Sequence, residues 1–258
     1  MSNSQITAPD FALAWEEWHH SRIAEIAAVD GSVSLTGTHW ITATDASSAQ
    51  SFAGVPGRWY LASDTVTGIE LTQPLSTTGT LQLYPGEKID DGRLTFSVLQ
   101  RGQQRALRTF DRHSPRHLAF REIAAFEPSR SWVLPAKVEA SSEVVEITSA
   151  DGTVTPTQIA AHLHLEIAGQ PVVLQATDAG DVLRVIFSDA TTLQGVHKFR
   201  FLDVQRPGPD GTTEVDFNQA FLPPLAFSPH FLCPWPTEGN RLSLPIEAGE
   251  KWPVFEIS

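Results

Sequence analysis

Residues 158–189 of this 258-residue chain read QIAAHLHLEIAGQPVVLQATDAGDVLRVIFSD. Short runs rich in aliphatic and β-branched residues, such as HLHLEIA, VVLQAT and VLRVIFSD, alternate here with turn residues. The AGQP segment around Gly169 is typical of a tight turn between two strands. This stretch therefore predicts consecutive antiparallel strands joined by hairpins.

The same pattern extends through most of the chain. Short β-rich runs such as RWYLA, GIELT, TLQLY and LTFSVLQ follow one another from about residue 31, and a second hairpin is predicted at Asp151-Gly152. Many short strands at close spacing predict a mainly β fold, an antiparallel β-sandwich or barrel. The length is normal for a single all-β domain with additions.

The N-terminal segment, residues 7–28, has helical rather than strand periodicity. Large side chains recur there at spacings of three or four, which predicts an amphipathic helix lying on a sheet. The face is apolar apart from one arginine. Its positions are Phe11, Trp15, Trp18, Arg22 and Ile26.

The C-terminal segment, residues 219–258, differs again and is called the strap below. It is dense in proline and aromatic residues. Proline fixes φ and lacks an N–H donor, so the strap is expected to be neither a central strand nor a helix but an ordered, extended segment. We predict one domain over residues 1–258, with the helix at 7–28, a β-rich body at 31–218 and the strap at 219–258.

Composition excludes several classes of function. Lys and Arg total 18 against 30 Asp and Glu, a net charge of −12, which argues against binding to nucleic acid or to an anionic membrane surface. No run approaches the roughly 20 apolar residues of a membrane helix, and the first residues do not resemble a signal peptide. The single cysteine cannot form an internal disulfide. We expect a cytoplasmic protein with no nucleic-acid or membrane partner.

Several charged or amide side chains are embedded in the apolar runs of the C-terminal third. Such groups are rarely fully buried unless they are paired. Two interpretations stay open: a network that fixes the strap, or a ligand site. The residues are Arg200, Asp203, Asp216, Asn218, Asn240, Arg241 and Glu250.

The leading functional hypothesis is a pocket at the strap that binds a small polar or anionic ligand, with no cofactor. Arg200 and Arg241 would contact the anion, because the guanidinium fork matches carboxylate or phosphate. Asp216 and Glu250 would orient the arginines or act as general acid and base. Asn218 and Asn240, with Asp203, would complete the ligand-binding set.

An enzyme of hydrolase type is the first alternative. Asp216 or Glu250 would act as the base, and Cys233 or a water molecule as the nucleophile. His230 lies only three residues before Cys233. A non-catalytic interaction module, with Trp235 and Trp252 as exposed anchors, is a further alternative.

A metal-dependent, cupin-like protein is the remaining alternative. His162, His164 and Glu166 lie on one face of a predicted strand, since side chains alternate. Imidazole and carboxylate ligands suit Zn²⁺, Fe²⁺ or Mn²⁺. The His-x-His start resembles a cupin metal site, but the glycine-rich frame of cupins is absent, so a solvated strand face is the competing interpretation.

The C-terminal third contains a series of short motifs. They are Arg200-Phe201-Leu202, Asp216-Phe217-Asn218 with Ala220, Cys233-Pro234 with Pro236, Asn240-Arg241-Leu242 and Ala248-Gly249-Glu250. In these motifs the chain resembles an uncharacterised bacterial and archaeal family, the domain of unknown function 1684. The chain departs from the family pattern at Leu222 and Leu225, where an Asn and a further Cys are usual, and at Phe199 and Gly239. The resemblance implies no activity, since none is established for the family.

Overall fold

A computed structural model describes residues 8–256 of the chain. The protein is mainly β, with antiparallel sheets and an N-terminal helix, so the predicted fold class is confirmed. The described chain forms two compact units. The smaller unit contains residues 24–120, 228–231 and 255–256, and the larger unit contains residues 8–23, 121–227 and 232–254. No helix within residues 8–256 is long and apolar enough to cross a membrane.

The N-terminal helix α1 extends over Ala8–Ile26, close to the predicted range of 7–28, whose first residue lies outside the described residues. Seven strands of the smaller unit follow. They are β1 (Leu35–Trp40), β2 (Arg58–Ala62), β3 (Thr65–Ile69), β4 (Thr80–Leu83), β5 (Lys88–Asp90), β6 (Leu94–Arg101) and β7 (Gln104–Asp111).

The smaller unit contains two antiparallel sheets. One has the order β1-β7-β6-β5 and the other has the order β2-β3-β4. Trp59 and Phe96 are fully buried in its core, with ring centroids 6.0 Å apart. The indole Nε1 of Trp59 donates to the carbonyl of Pro56 at 2.9 Å, so the one polar atom of this core residue is satisfied.

A short helix, α2 (Pro115–Ala119), precedes the remaining strands. Short 3₁₀ turns at Ser32–Ser34, Arg130–Trp132, Ala190–Gln194, Phe217–Gln219, Pro224–Ala226 and Glu238–Asn240 complete the elements. The strands are β8 (Phe120–Ala125), β9 (Val133–Ala140), β10 (Val144–Thr148), β11 (Val154–Gln158), β12 (Ala161–Ile167), β13 (Gln170–Ala179), β14 (Val182–Phe187), β15 (Arg200–Gln205), β16 (Thr212–Asp216) and β17 (Glu250–Phe255).

The main sheet of the larger unit has the order β15-β14-β13-β12-β9-β16. Two small sheets, β10-β11 and β8-β17, accompany it. Buried and less buried side chains alternate along β12, as expected for a strand with one face on the core. Leu163 and Leu165 are buried on one face, while Glu166 is exposed on the other. The predicted hairpin turns at Asp151-Gly152 and Gly169 connect β10 to β11 and β12 to β13.

Arg22 interrupts the apolar face of α1 for a physical reason. Its Nε donates to a carboxylate oxygen of the fully buried Glu250 at 3.3 Å, and its guanidinium lies 4.8 Å from the centroid of the Phe221 ring. The indole Nε1 of Trp15 donates to the carbonyl of Asn218 at 2.8 Å. The helix is thus held to the strap and to the turn before it by an ion pair, a cation–π contact and a hydrogen bond.

The strap packs through its backbone. Between residues 219 and 249 it has only 3₁₀ turns and isolated bridges, and its last strand is β17. Gly249 allows the closest approach, since it has a φ of +79° and a Cβ there would lie 2.4 Å from the carbonyl oxygen of Ala220. The neighbouring Glu250 N–H donates to that same carbonyl at 2.8 Å. Any side chain at position 249 would therefore separate the two segments.

We expect Gly249→Ala to lower the free energy of unfolding by more than Gly152→Ala. Gly152 has a similar φ of +80°, but no heavy atom lies within 4 Å of the position that a Cβ would take there. The control therefore measures backbone strain alone, about 1–2 kcal/mol. Urea unfolding of both variants measures the difference. Equal losses would show that the contact with Ala220 is unimportant.

Candidate functional site

Arg200 is a fully buried charged group that contacts the strap. Its side chain, on β15, is 1% exposed. One terminal nitrogen, Nη2, donates to Asp189 at 2.7 Å and to the carbonyl of Ile246 at 2.9 Å, while Nη1 donates to the carbonyl of Ala248. Burial lowers the pKa of Arg200, and the charge of Asp189 acts in the opposite direction. Arg200 therefore binds two backbone carbonyls of the strap and is shielded from solvent.

Both carboxylate oxygens of Asp189 accept hydrogen bonds from neighbouring protein groups. Its Oδ1 accepts from the Thr191 N–H at 2.9 Å, from the Thr191 hydroxyl at 2.6 Å and from the Ile246 N–H at 3.1 Å. Its Oδ2 accepts from Arg200. The carboxylate caps the 3₁₀ turn Ala190–Gln194 and is neutralised by the arginine. It is a fixed anchor between the turn and the strap.

Asn218 and Asn240 perform the same task at two places. The amide of Asn218 accepts from the Ser129 N–H at 2.8 Å and donates to the Ser129 carbonyl at 2.9 Å. The amide of Asn240 accepts from the Gln175 N–H at 2.8 Å and donates to the carbonyls of Gln175 and Ile186 at 2.8 and 2.9 Å. Each side chain therefore behaves as an additional peptide group that joins two backbone segments.

Asp216 and Glu250 are also bonded to neighbouring groups. Asp216 accepts from the backbone N–H of Asn218 at 3.0 Å and from its side-chain amide at 2.7 Å. Burial is the main cause that raises the pKa of Asp216. Glu250 accepts from the Leu222 N–H at 2.7 Å and from Arg22. Asp216 thus fixes the backbone just before the strap, and Glu250 fixes the strap near its start, at Leu222.

Asp203 pairs with an arginine that the sequence did not suggest. Asp203 on β15 lies opposite Arg184 on β14, and the two form a bidentate pair with both N–O distances at 2.7 Å. Arg200 instead pairs with Asp189. Cross-strand register, which is not visible in a single strand, determines this pairing.

The histidine strand faces other carboxylates. Nε2 of His162 lies 3.3 Å from Glu143, and Nε2 of His164 lies 3.0 Å from Glu139. A strand rises about 3.3 Å per residue, so His162 and Glu166 are separated by roughly 13 Å along it, too far to share one metal ion. Within residues 8–256, no group of three or more His, Cys, Asp and Glu side chains could hold a metal.

A cavity of about 530 Å³ lies between the strap and the turn that Asp189 caps. The strap backbone is tied to Ser188 on both sides, since the Ser188 N–H donates to the Asn240 carbonyl at 3.0 Å and the Leu242 N–H donates to the Ser188 carbonyl at 2.8 Å. The polar residues that line the cavity include Ser188, Asp189, Thr192, Lys198, Arg241 and Ser243. Asp216, Cys233 and Glu250 do not line it.

The cavity wall is cationic. Lys198 and Arg241 are both exposed and both line the cavity. Arg241 contacts Glu238 at 3.0 Å, but that carboxylate is 85% exposed, and surface pairs of this kind contribute little. The lining carboxylate, Asp189, is already paired with Arg200. Two exposed cationic side chains thus line the cavity, one of them in a surface ion pair.

One side of the cavity is apolar. Trp235 lines it and packs against Phe199, with ring centroids 4.9 Å apart. Leu193, which is 89% exposed, and Leu242 are also part of the wall. The cavity therefore combines a cationic side with an apolar side, both carried by segments that Asp189 and Asn240 hold in place.

Of the site residues predicted from the sequence, some line the cavity and the others bond to the surrounding backbone. Arg241 lines the cavity, whereas the preceding Asn240 does not line it and bonds to Gln175 and Ile186. Lys198 was missed, because an isolated exposed lysine gives no signal. Asp189 was missed too, although Asp followed two residues later by Thr is a common capping pattern.

Cys233 is a buried residue outside the cavity. Its carbonyl accepts from the Ala150 N–H at 2.9 Å, and Pro234 bridges Ser149. The Cys-Pro segment thus attaches the strap to the hairpin of β10 and β11. Of the two tryptophans predicted as anchors, Trp235 lines the cavity and Trp252 is 40% exposed on β17.

A family model described as "Protein of unknown function (DUF1684)" matches residues 118–251. That range includes every strap motif up to Glu250 and the whole cavity. No curated protein matches the chain. A solution NMR structure of an uncharacterized protein from Haloarcula marismortui is 28% identical, over 51% of this chain and 77% of that chain, with a TM-score of 0.43.

Removing Arg200 should strongly destabilise the protein. Arg200→Leu leaves Asp189 buried without its cation, and breaking a buried pair in this way typically costs about 3–5 kcal/mol. The control is Arg184→Leu, which breaks the partly exposed pair with Asp203 and should cost less. Thermal and urea unfolding measure both. Equal costs would contradict the anchoring role of Arg200.

Asp216 should make stability depend on pH. Its raised folded-state pKa means that its contribution is present below the ordinary value of 3.8 and is lost as pH rises through the folded-state value. We expect Asp216→Asn to become more stable relative to the parent protein as pH rises from about 4 to 7. Urea unfolding across that range tests this, and a constant difference between the two proteins would refute it.

Proposed function

The chain belongs to the family of unknown function DUF1684, and we propose that it binds a small anionic molecule in the strap cavity. One observation carries the proposal. Lys198 and Arg241 line the same cavity. The carboxylate that also lines it, Asp189, is already paired with Arg200. On a chain with a net charge of −12, two exposed cations beside one cavity favour an anionic ligand.

The donors of the cavity suit a carboxylate or a phosphate group. The guanidinium of Arg241 offers paired N–H groups in a fixed plane, and the ammonium of Lys198 adds a point charge. Hydroxyls of Ser188, Thr192 and Ser243 also line the cavity and can donate or accept hydrogen bonds. The same site can thus hold the charged oxygens and orient the rest of the ligand.

The ligand should also have an apolar portion. Trp235, Leu193 and Leu242 form the other side of the cavity, and indole provides a broad flat contact surface. A volume of about 530 Å³ lies within the range of roughly 300–1,000 Å³ found for small-molecule sites. An aryl or alkyl carboxylate, or the corresponding phosphate ester, fits both sides.

Rigidity supports binding rather than a purely structural role. Asn240 and Asp189 lock the two segments that carry Arg241 and the turn Ala190–Gln194. Because these anchors are buried, the exposed cations do not have to contribute to folding. A site whose supporting groups are separate from its contact groups is preorganised.

The hydrolase alternative gains no support from this cavity. Its candidate residues Asp216, Glu250 and Cys233 lie outside the lining, and the two carboxylates are engaged in backbone and arginine contacts. The proposed function is therefore binding.

Calorimetric titration with benzoate and with phenyl phosphate tests the proposal. We expect saturable binding of at least one probe, and about a tenfold or greater loss of affinity in Lys198→Ala and in Arg241→Ala, since hydrogen bonds to charged groups contribute about 1.5–3 kcal/mol. Both side chains are exposed, so unfolding temperatures should be nearly unchanged. Added salt should weaken binding.

The matched control is Arg206→Ala. Arg206 is in the larger unit, 45% exposed and paired with Asp178, and it does not line the cavity. Its loss removes the same charge without touching the site. Equal weakening by Arg206→Ala and Arg241→Ala would reduce the effect to net charge and contradict the site, as would the absence of saturable binding by both probes.

A further inference from the structure

The smaller unit contains its own cavity, of about 180 Å³. At about 30 Å³ per water molecule this is the space of about six waters, so any occupant must be small. Five polar residues, from β1, from β7 and from the position just before β6, line it. They are Thr36, His39, Arg93, Thr109 and Asp111.

An irregularity in β1 brings Thr36 to this cavity. The pairing of β1 with β7 shifts between Leu35 and Gly37, because Leu35 lies opposite Phe110 and Gly37 lies opposite Thr109. Thr36 is thus the extra residue of a β-bulge. In a regular strand Thr36 and His39 would point to opposite faces. The bulge lets both line the same space, and bulges commonly redirect side chains in this way.

The hydroxyl of Thr109 is the centre of the polar cluster. Its Oγ1 lies 3.3 Å from the Thr36 hydroxyl and 3.4 Å from Nε2 of His39. The Thr36 hydroxyl also donates to the Thr109 carbonyl at 3.1 Å. Two hydroxyls and one imidazole therefore converge at a single point of the wall.

The imidazole of His39 is fixed in position from two sides. Its ring stacks on Phe52 with centroids 4.7 Å apart. On another side it lies over Gly37, where a Cβ would be only 2.2 Å from His39 Nε2. A residue with a side chain at position 37 would displace the ring. The absence of a side chain at Gly37 therefore allows His39 to occupy its position in the cavity wall.

The charges around the cavity cancel. Nε and Nη2 of Arg93 donate to one carboxylate oxygen of Asp111 at 3.3 and 3.1 Å, and the other oxygen accepts from the His113 N–H. Burial lowers the pKa of His39, and the nearby His230 lowers it further, so both favour the neutral imidazole. In contrast to the strap cavity, this wall has no uncompensated cation.

We propose that this cavity binds a small neutral polyhydroxylated molecule, a polyol or a monosaccharide. Hydroxyl groups both donate and accept, and they match a wall of threonine hydroxyls, a neutral imidazole, a carboxylate and a guanidinium. The compensated charge of Arg93 and Asp111 disfavours an anion. The site is separate from the strap cavity and does not depend on the function proposed there.

NMR titration of the full, ¹⁵N-labelled chain with xylitol, and separately with inorganic phosphate, tests the assignment. We expect xylitol to give saturable shifts confined to residues around Thr36, His39 and Thr109, and phosphate to give none there. Thr109→Val and Arg93→Gln should each weaken xylitol binding by about tenfold, the upper end for one hydrogen bond. Arg93 is 72% exposed, so the second variant remains folded.

The matched control is Thr38→Val on the same strand. The Thr38 hydroxyl donates to the His230 carbonyl at 2.9 Å and does not line the cavity, so xylitol affinity should be unchanged. Phosphate binding without xylitol binding would overturn the proposal, and so would xylitol shifts that never saturate at tens of millimolar or that Thr38→Val abolishes equally.

Discussion

The ion pair between Arg200 and Asp189 is the interaction on which the strap and its cavity depend. Two charges that leave water must recover their hydration through close contact and further hydrogen bonds. Arg200 does so with the carbonyls of Ile246 and Ala248, and Asp189 does so with Thr191 and the Ile246 N–H. Every one of these partners belongs to the strap or to the turn Ala190–Gln194, so satisfying the pair also sets the two walls of the cavity.

The proline content of the strap explains why side chains, rather than a neighbouring strand, form hydrogen bonds with its backbone. A segment rich in proline has few N–H donors, and so it cannot join a sheet as a regular strand. Its buried carbonyls and those it meets still require partners. Arg200 donates to two strap carbonyls, and the side chain of Asn240 imitates the peptide unit that a strand would have contributed. The polar density of the strap motifs is a consequence of its lack of secondary structure.

The alternation of side chains was sufficient to predict the mainly β fold, and the spacing of Phe11, Trp15 and Trp18 to predict α1. The site was accessible only in part. Arg241 could be named because it stands in a polar motif, but the partner of Arg200 could not, since Asp189 and Asp203 are equally plausible in the sequence and only the register of β14 and β15 separates them. Lys198 has no local signal. The described residues form two compact units. That the chain is a single domain stays a prediction.

The bulge at Thr36 has a consequence for how this protein can change over time. Because the period of a strand is two, insertion or deletion of one residue inverts every side chain beyond it. In β1 the bulge absorbs that inversion locally, between Leu35 and Gly37. Loss of a single codon at position 36 would leave the pairing from Gly37 to Trp40 intact while removing a hydroxyl and straightening the wall. Deletion of this one residue would therefore alter the wall of the smaller cavity without changing the register of the rest of β1.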